Sequence, residues 1–296
     1  MRAVVFGASG VIGRALLPEL ARGDEVVGVS RRPHRDENGF TWARADVTDA
    51  DSLRGLLREG DVVVYLVHSL GTSDFEHVDR LAADNVATAA ESASARRIVY
   101  LGGLGGGGEA DSRHLRSRDE TATRLTLGAV PVTTLRAAMV VGPGSAAFET
   151  IRALVDRLPA MVCPRWVSTP TQPIALRDVV RYLVGACGLE LPRGESFDVG
   201  GPEVMTYREM IERIARIRGK RVPIVEVPVL TPRLSSWWLH LVTPVNAAVA
   251  RPLIDGLRTP TIVRDARIRE HVPFELTPFD DAVREALLTS PHRGGS

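Results

Sequence analysis

Lysine is almost missing from this chain of 296 residues: of 37 basic side chains only Lys220 is a lysine. Chemistry that needs a lysine anywhere else is excluded. Cysteine is as scarce, with Cys163 and Cys187 alone. Their separation fits no metal-ligand spacing and no disulfide framework, so no metal site is expected, both thiols read as buried apolar groups, and a reducing cytoplasmic location follows. Net charge is also nearly absent, at +1. With no basic stripe and no interleaved aromatics, a nucleic-acid partner is not expected, because phosphate binding needs clustered positive charge. Long apolar runs are lacking too. The N-terminal run stops after Ala3 to Phe6, which implies no export signal. The stretch from Leu234 to Ala250, with Trp237 and Trp238, contains Ser, His, Asn and Pro, and is too short and polar to span a bilayer. It reads as a substrate-pocket wall or packed helix, with a homodimer contact or a membrane-surface contact as the alternatives.

What the chain does have begins at its start. Arg2 to Phe6 is a short β-forming run, Gly7-Ala8-Ser9-Gly10-Val11-Ile12-Gly13 is a glycine-rich turn, and an apolar-periodic helix runs from Ala15 to Leu20. A strand, a loop and a helix N-terminus in this order make a cradle for a dinucleotide pyrophosphate. Gly7 permits the sharp turn, Gly10 leaves room for the pyrophosphate, and Gly13 permits close packing of helix on sheet. A second strand, Glu25 to Val29, ends in Ser30-Arg31-Arg32. An NAD-preferring site carries a carboxylate here for the ribose 2′-hydroxyl, whereas a hydroxyl and two guanidiniums suit a 2′-phosphate. NADP(H) is therefore favoured over NAD(H), against the alternative that the arginines are solvated surface charge.

Further strands are read at Phe40–Ala45, Asp61–Val67, Arg97–Leu101 and Val132–Arg136. Helices are read around Leu53, Leu56 and Leu57, then at Phe75–Ala95, Asp111–Leu127 and Ala146–Leu158. Asp46-Val47-Thr48-Asp49 offers N-cap chemistry for the helix after it, and Asp46 itself either approaches the adenine edge or is only a cap. Val67 and His68 end the fourth strand on the edge where open α/β sheets bind ligands, which makes His68 a candidate as well as a structural hydrogen-bonding residue. Gly102 to Gly108 reads as a flexible run near the cofactor. The alternation predicts an α/β Rossmann-type doubly wound parallel sheet over 1–160. Short elements separated by prolines over 161–290 predict a smaller C-terminal substrate lobe interleaved with the main domain. In that lobe Thr206 to Glu209 is a capping box. Residues 291–296 read as a disordered tail.

Together the glycine motif, Asp46-Val47, Asn85-Val86, Leu135-Arg136 with Gly142-Pro143-Gly144, Gln172-Pro173-Ile174 with Asp178-Val179, and Phe197 to Pro202 resemble the extended and atypical short-chain dehydrogenase/reductase superfamily. Tyr65 to Ser69, His114 to Arg118 and Pro164 to Val167 are most similar to its NmrA-like and YbjT-like NAD(P)-binding members. The resemblance implies a Rossmann fold, NADP(H) and a small-molecule substrate. It also exposes a departure: no tyrosine here has a lysine four residues on. His114 stands where the superfamily's tyrosine would, Arg118 for its lysine, and Gly102-Gly103 for its serine. Two readings follow. In one, His114 donates the proton, titrating near working pH, and Arg118 holds the ribose. In the other, the triad is lost and the protein senses NADP(H) or steadies a partner.

Overall fold

The computed structural model describes residues 1–37, 39–69, 74–105, 112–191, 193–227 and 258–289. The expectations for 106–108, 234–250 and 290–296 fall outside them. The N-terminal run forms β1 (Arg2–Phe6), and the apolar face Leu16, Leu17 and Leu20 is buried by helix α1 (Val11–Leu20), which starts at the glycine turn itself. Strands β2 (Glu25–Ser30), β3 (Phe40–Arg44), β4 (Val62–Tyr65), β5 (Arg97–Gly103) and β6 (Val132–Ala137) follow, with α2 (Phe75–Ser92) before β5 and α3 (Arg113–Thr126) before β6. Two expectations change. The segment after β3 forms only one 3-10 turn, Ala50–Leu53, in place of the helix, and within the expected Asp46–Asp49 cap stretch it is Asp49 that caps it. Gly102 and Gly103 are the ordered end of β5, hydrogen-bonded in register with Arg136 and Ala137.

The chain continues through β7 (Val140–Val141), α4 (Ala146–Arg157), β8 (Met161–Pro164), β9 (Pro170–Thr171), β10 (Ile174–Ala175) and α5 (Leu176–Gly188). After these come β11 (Ser196–Val199), β12 (Met205–Thr206), α6 (Tyr207–Ile217), β13 (Ile224–Val227), α7 (Ile268–His271) and α8 (Phe279–Thr289). The Thr206/Glu209 capping box opens α6, with both reciprocal bonds formed.

Seven strands make one parallel sheet in the order β11-β6-β5-β4-β1-β2-β3. Strand order reverses between β1 and β4, which opens a crevice at their C-terminal ends. One sheet face packs against α1 and α5 and the other against α2 and α3, so the central strands are buried on both sides. A third core joins α4, α6 and α8 around Phe148, Met210, Ile214 and Val283. β11, contributed from beyond residue 190, is the sheet's last strand, and its Asp198 carboxylate is buried against Arg136 of β6 at 2.7 Å. Among the described residues no helix is long and apolar enough to cross a membrane.

Candidate functional site

Gly7 has φ +80°, and a Cβ there would stand 2.8 Å from the main-chain carbon of Leu66. A side chain is excluded by both conformation and contact, so β1 and β4 come together at the switch point. Gly10 differs: a Cβ would meet only the Gly7 carbonyl, at 3.2 Å, and otherwise project into open space. No side chain caps α1 at Gly10, so its first-turn amides are left to face an anion. Gly13 packs close, though against the main chain of Ala8 at 2.6 Å rather than against the sheet. These three positions fit a dinucleotide pyrophosphate on local geometry alone.

The crevice above them encloses ≈ 810 Å³. It brings together Gly7, Ser9, Gly10, Val11, Ile12, Gly13, Ser30, Arg31, Asp46, Val47, Val67, His68 and Gly102, along with His114 and Arg118. Arg32 is not part of the lining; its amide donates to Ser30 Oγ at 3.2 Å. Asp46 does not cap a helix. Its Oδ1 accepts from the Thr48 amide at 3.0 Å and the Thr48 hydroxyl at 2.8 Å, and these bonds together with Arg31 hold its carboxyl below the usual range against partial burial. A larger cleft, ≈ 1230 Å³, runs between α1, α5 and α8. It does not include the glycine turn or the ends of β1 and β4, and Arg177 in its wall is paired with Glu285 at 2.5 Å.

Two histidines meet at the inner end of the crevice. The His68 and His114 rings lie 4.9 Å apart, centre to centre, tilted by 41°. His68 Nδ1 is 3.2 Å from Asp79 Oδ2. Asp79, on α2 and buried, also accepts from the Ser69 amide at 3.0 Å and from Ser117 Oγ at 3.3 Å. Burial opposes ionisation of Asp79, but the His68 and Ser69 hydrogen bonds and the Arg118 charge outweigh it and hold the carboxyl below its usual range. Arg118 donates to the Leu101 carbonyl at 2.8 Å, and its own carbonyl accepts from Tyr100 Oη at 3.1 Å.

Burial, reinforced by the Arg118 charge, pushes His68 down to about 4, and the same two causes with His68 itself push His114 well below the ordinary histidine value. The expectation that His114 titrates near working pH is therefore corrected. Both rings rest neutral because a cation in this desolvated position would face a second cation. His68 Nε2, His114 Nδ1 and Arg118 Nε are buried with no hydrogen-bond partner among the described residues. Each such group costs about 1–3 kcal/mol when left unpaired. Three at one end of one cavity mark a place built for something polar to arrive.

Sequence reasoning missed Asp79 and Ser117, since helix spacing does not reveal a partner from another element. It also missed Tyr207 and Thr261, which line the crevice from the C-terminal lobe. For Tyr207 a signal was present: it lies within the capping box, directly after the Thr206 N-cap, which places it in the first turn of α6.

A family model described as NAD(P)H-binding matches residues 7–130. The chain is 26% identical over 226 residues to the mitochondrial NADH dehydrogenase [ubiquinone] 1 alpha subcomplex subunit 9 of Arabidopsis thaliana, covering 71% of this chain and 56% of that protein's length. It is 27% identical over 237 residues to the (4-alkanoyl-5-oxo-2,5-dihydrofuran-3-yl)methyl phosphate reductase of Streptomyces griseus, covering 76% of this chain and 77% of that one. The Bordetella bronchiseptica enzyme WbmH, solved in complex with NAD+, shares the fold with a TM-score of 0.71 at 18% identity over 97% of both chains.

Proposed function

We propose that this chain, an NAD(P)-binding protein with the short-chain dehydrogenase/reductase fold, is an NADP(H)-dependent oxidoreductase acting on a carbonyl or activated alkene of a small organic substrate. One observation carries the reading. A single crevice is lined by Arg31 after β2, by the open glycine turn after β1 in the middle, and on the β4 side by His68, His114 and Arg118 with unpaired polar atoms. The reductase relative from Streptomyces griseus supports the reaction class.

The α1 amides and Gly10 hold the pyrophosphate, and Arg31 takes the 2′-phosphate through charge-assisted hydrogen bonds. When bound, the nicotinamide supplies or accepts hydride. His114, neutral at rest, hydrogen-bonds the substrate oxygen through the ring nitrogen that faces the crevice, accepting the proton in oxidation and returning it in reduction. Arg118, held on the Leu101 carbonyl, places a permanent cation beside the oxygen as negative charge develops there. This pair would do the work that the superfamily gives to tyrosine and lysine.

A second reading is favoured by the respiratory-complex relative: an NADP(H)-binding subunit that performs no turnover. Calorimetric titration with NADPH and NADH tests the nucleotide reading. NADPH should bind tighter, and Arg31→Ala should cost NADPH about 10- to 100-fold while leaving NADH unchanged, as loss of one charged hydrogen-bonding partner implies. Equal affinity for both nucleotides removes the NADP(H) assignment. NADPH consumption with trans-cinnamaldehyde and 2-cyclohexen-1-one, lost in His114→Ala, tests the chemistry; turnover unchanged by that substitution removes His114 from it.

A further inference from the structure

Asp79 is a buried carboxylate that forms no ion pair with a guanidinium among the described residues. Its Oδ1 is taken by the Ser69 amide, and its Oδ2 faces His68 Nδ1 and Ser117 Oγ. An ionised carboxylate only accepts, so the proton of the His68–Asp79 bond belongs to His68 Nδ1. His68 Nε2 then presents a lone pair. That atom is buried and unpartnered, and so is Nδ1 of the neighbouring His114 ring. The two nitrogens do not bond each other as the structure stands; turned to lie on the line between the ring centres, each about 1.1 Å from its own centre, they would come within about 2.7 Å, inside hydrogen-bond range. Bonds of this kind often close only when a site is filled.

We propose that Asp79, His68 and His114 form a carboxylate–imidazole–imidazole proton relay that opens onto the crevice at His114 Nε2, with Asp79 as its positioning residue. The relay rests on the oxidoreductase reading above. In the oxidative direction, hydride leaves the alcohol carbon for NADP+ while the hydroxyl proton passes to His114 Nε2. The His114 Nδ1 proton moves to His68 Nε2, and the positive charge ends on His68 against Asp79. Reduction reverses each transfer: the carbonyl carbon takes hydride from NADPH, and its oxygen takes the proton released by the relay.

The charged groups that act on the two rings are Asp79 on α2 and Arg118 on α3, and the phenols of Tyr65 on β4 and Tyr100 on β5 act on those same two groups. Burial and the Arg118 charge keep both rings neutral at rest, against the opposing pull of Asp79 on His68, and a proton taken up between the two facing rings belongs to neither alone. Such a proton titrates as a property of the pair.

Ring-15N NMR of the full chain labelled at histidine tests this. The expected result is His68 protonated at Nδ1, with His68 and His114 reporting one shared protonation step below pH 6. In Asp79→Asn, the Ser69 amide keeps the side-chain oxygen turned to itself, so the amide nitrogen faces His68. The His68 proton should then move to Nε2, and the His114 titration curve should move with it. His68 protonated at Nε2 in the native protein overturns the relay. So does a His114 curve that stays put when the His68 proton moves, since that is what a purely structural Asp79 gives. If Asp79→Asn does not fold, His68→Gln reads the same coupling: the His114 midpoint must shift, and an unshifted midpoint overturns the proposal. Calorimetry of the native protein with NADP+ separates the two ideas. No heat with the expected tautomer defeats the nucleotide reading alone, and normal binding with the wrong tautomer defeats the relay alone.

Discussion

Lowering the pH should destabilise this protein through its buried imidazoles before most carboxylates are protonated. Folded His68 is held down to about 4 by burial and by Arg118, against an ordinary value of 6.5. Between these limits the unfolded chain binds a proton that the folded chain refuses. The contribution is complete above pH 6.5 and is lost as pH falls toward 4. For an unfolded value of 6.5 and a folded value near 4, linkage makes the loss at pH 5 about 2 kcal/mol relative to pH 7.5. His114 is depressed as well and adds in the same direction. The Asp79 carboxyl, also held down, adds its own loss only below its usual range, outside this window. The assay is urea unfolding followed by tryptophan fluorescence at pH 7.5, 6.5, 5.5 and 5.0, in the native protein and in His68→Gln. The native protein should lose about 2 kcal/mol more than the variant across the series, because the variant has no imidazole to protonate at that position. Parallel curves would refute the claim that His68 is buried and neutral.

Gly10→Val should leave the melting temperature within a few degrees of native while weakening NADPH binding at least about tenfold in calorimetry, since its side chain enters the pyrophosphate space and touches little else. Gly7→Ala should lower the melting temperature instead, costing about 2 kcal/mol or more, because φ +80° and the Leu66 main chain both reject a Cβ. Arg136→Ala removes the guanidinium from the buried Asp198 and leaves that carboxylate, among the described residues, the amides of Arg264 and Asp265. A loss of about 3 kcal/mol in chemical denaturation is expected.

The sheet was legible because its strands are short β-branched runs with continuous apolarity, the pattern that burial on both faces demands. Val62–Tyr65 and Arg97–Gly103 stand where that pattern puts them. The helix expected around Leu53 was wrong because leucine spacing imitates helical period, whereas Asp46, Asp49 and Ser52 hydrogen-bond to one another and to nearby main chain, which favours a turn. The glycine positions were readable through backbone sterics, which are local. The state of the histidines was not. Arg118 is four residues from His114 and was noted, but the desolvation that lets its charge matter comes from packing of α2 on α3, and the composition of either helix alone does not contain it. Gly102 misled for a related reason: a glycine-rich run reads as loose chain, yet its first two members are pinned by six residues of pairing between β5 and β6.

The position of β11 bears on how the molecule is made. Synthesis proceeds from residue 1, so six strands are translated before the seventh exists, and β6 waits about sixty residues for the segment that covers its flank. At ordinary ribosomal speeds of about 5–20 residues per second, that wait is several seconds with a bare hydrogen-bonding edge and apolar neighbours open to any passing strand. A gene cut near residue 160 would make the wait permanent. Its product should aggregate rather than behave as a free nucleotide-binding module, and trigger-factor-type holdases should favour ribosomes stalled between those two points.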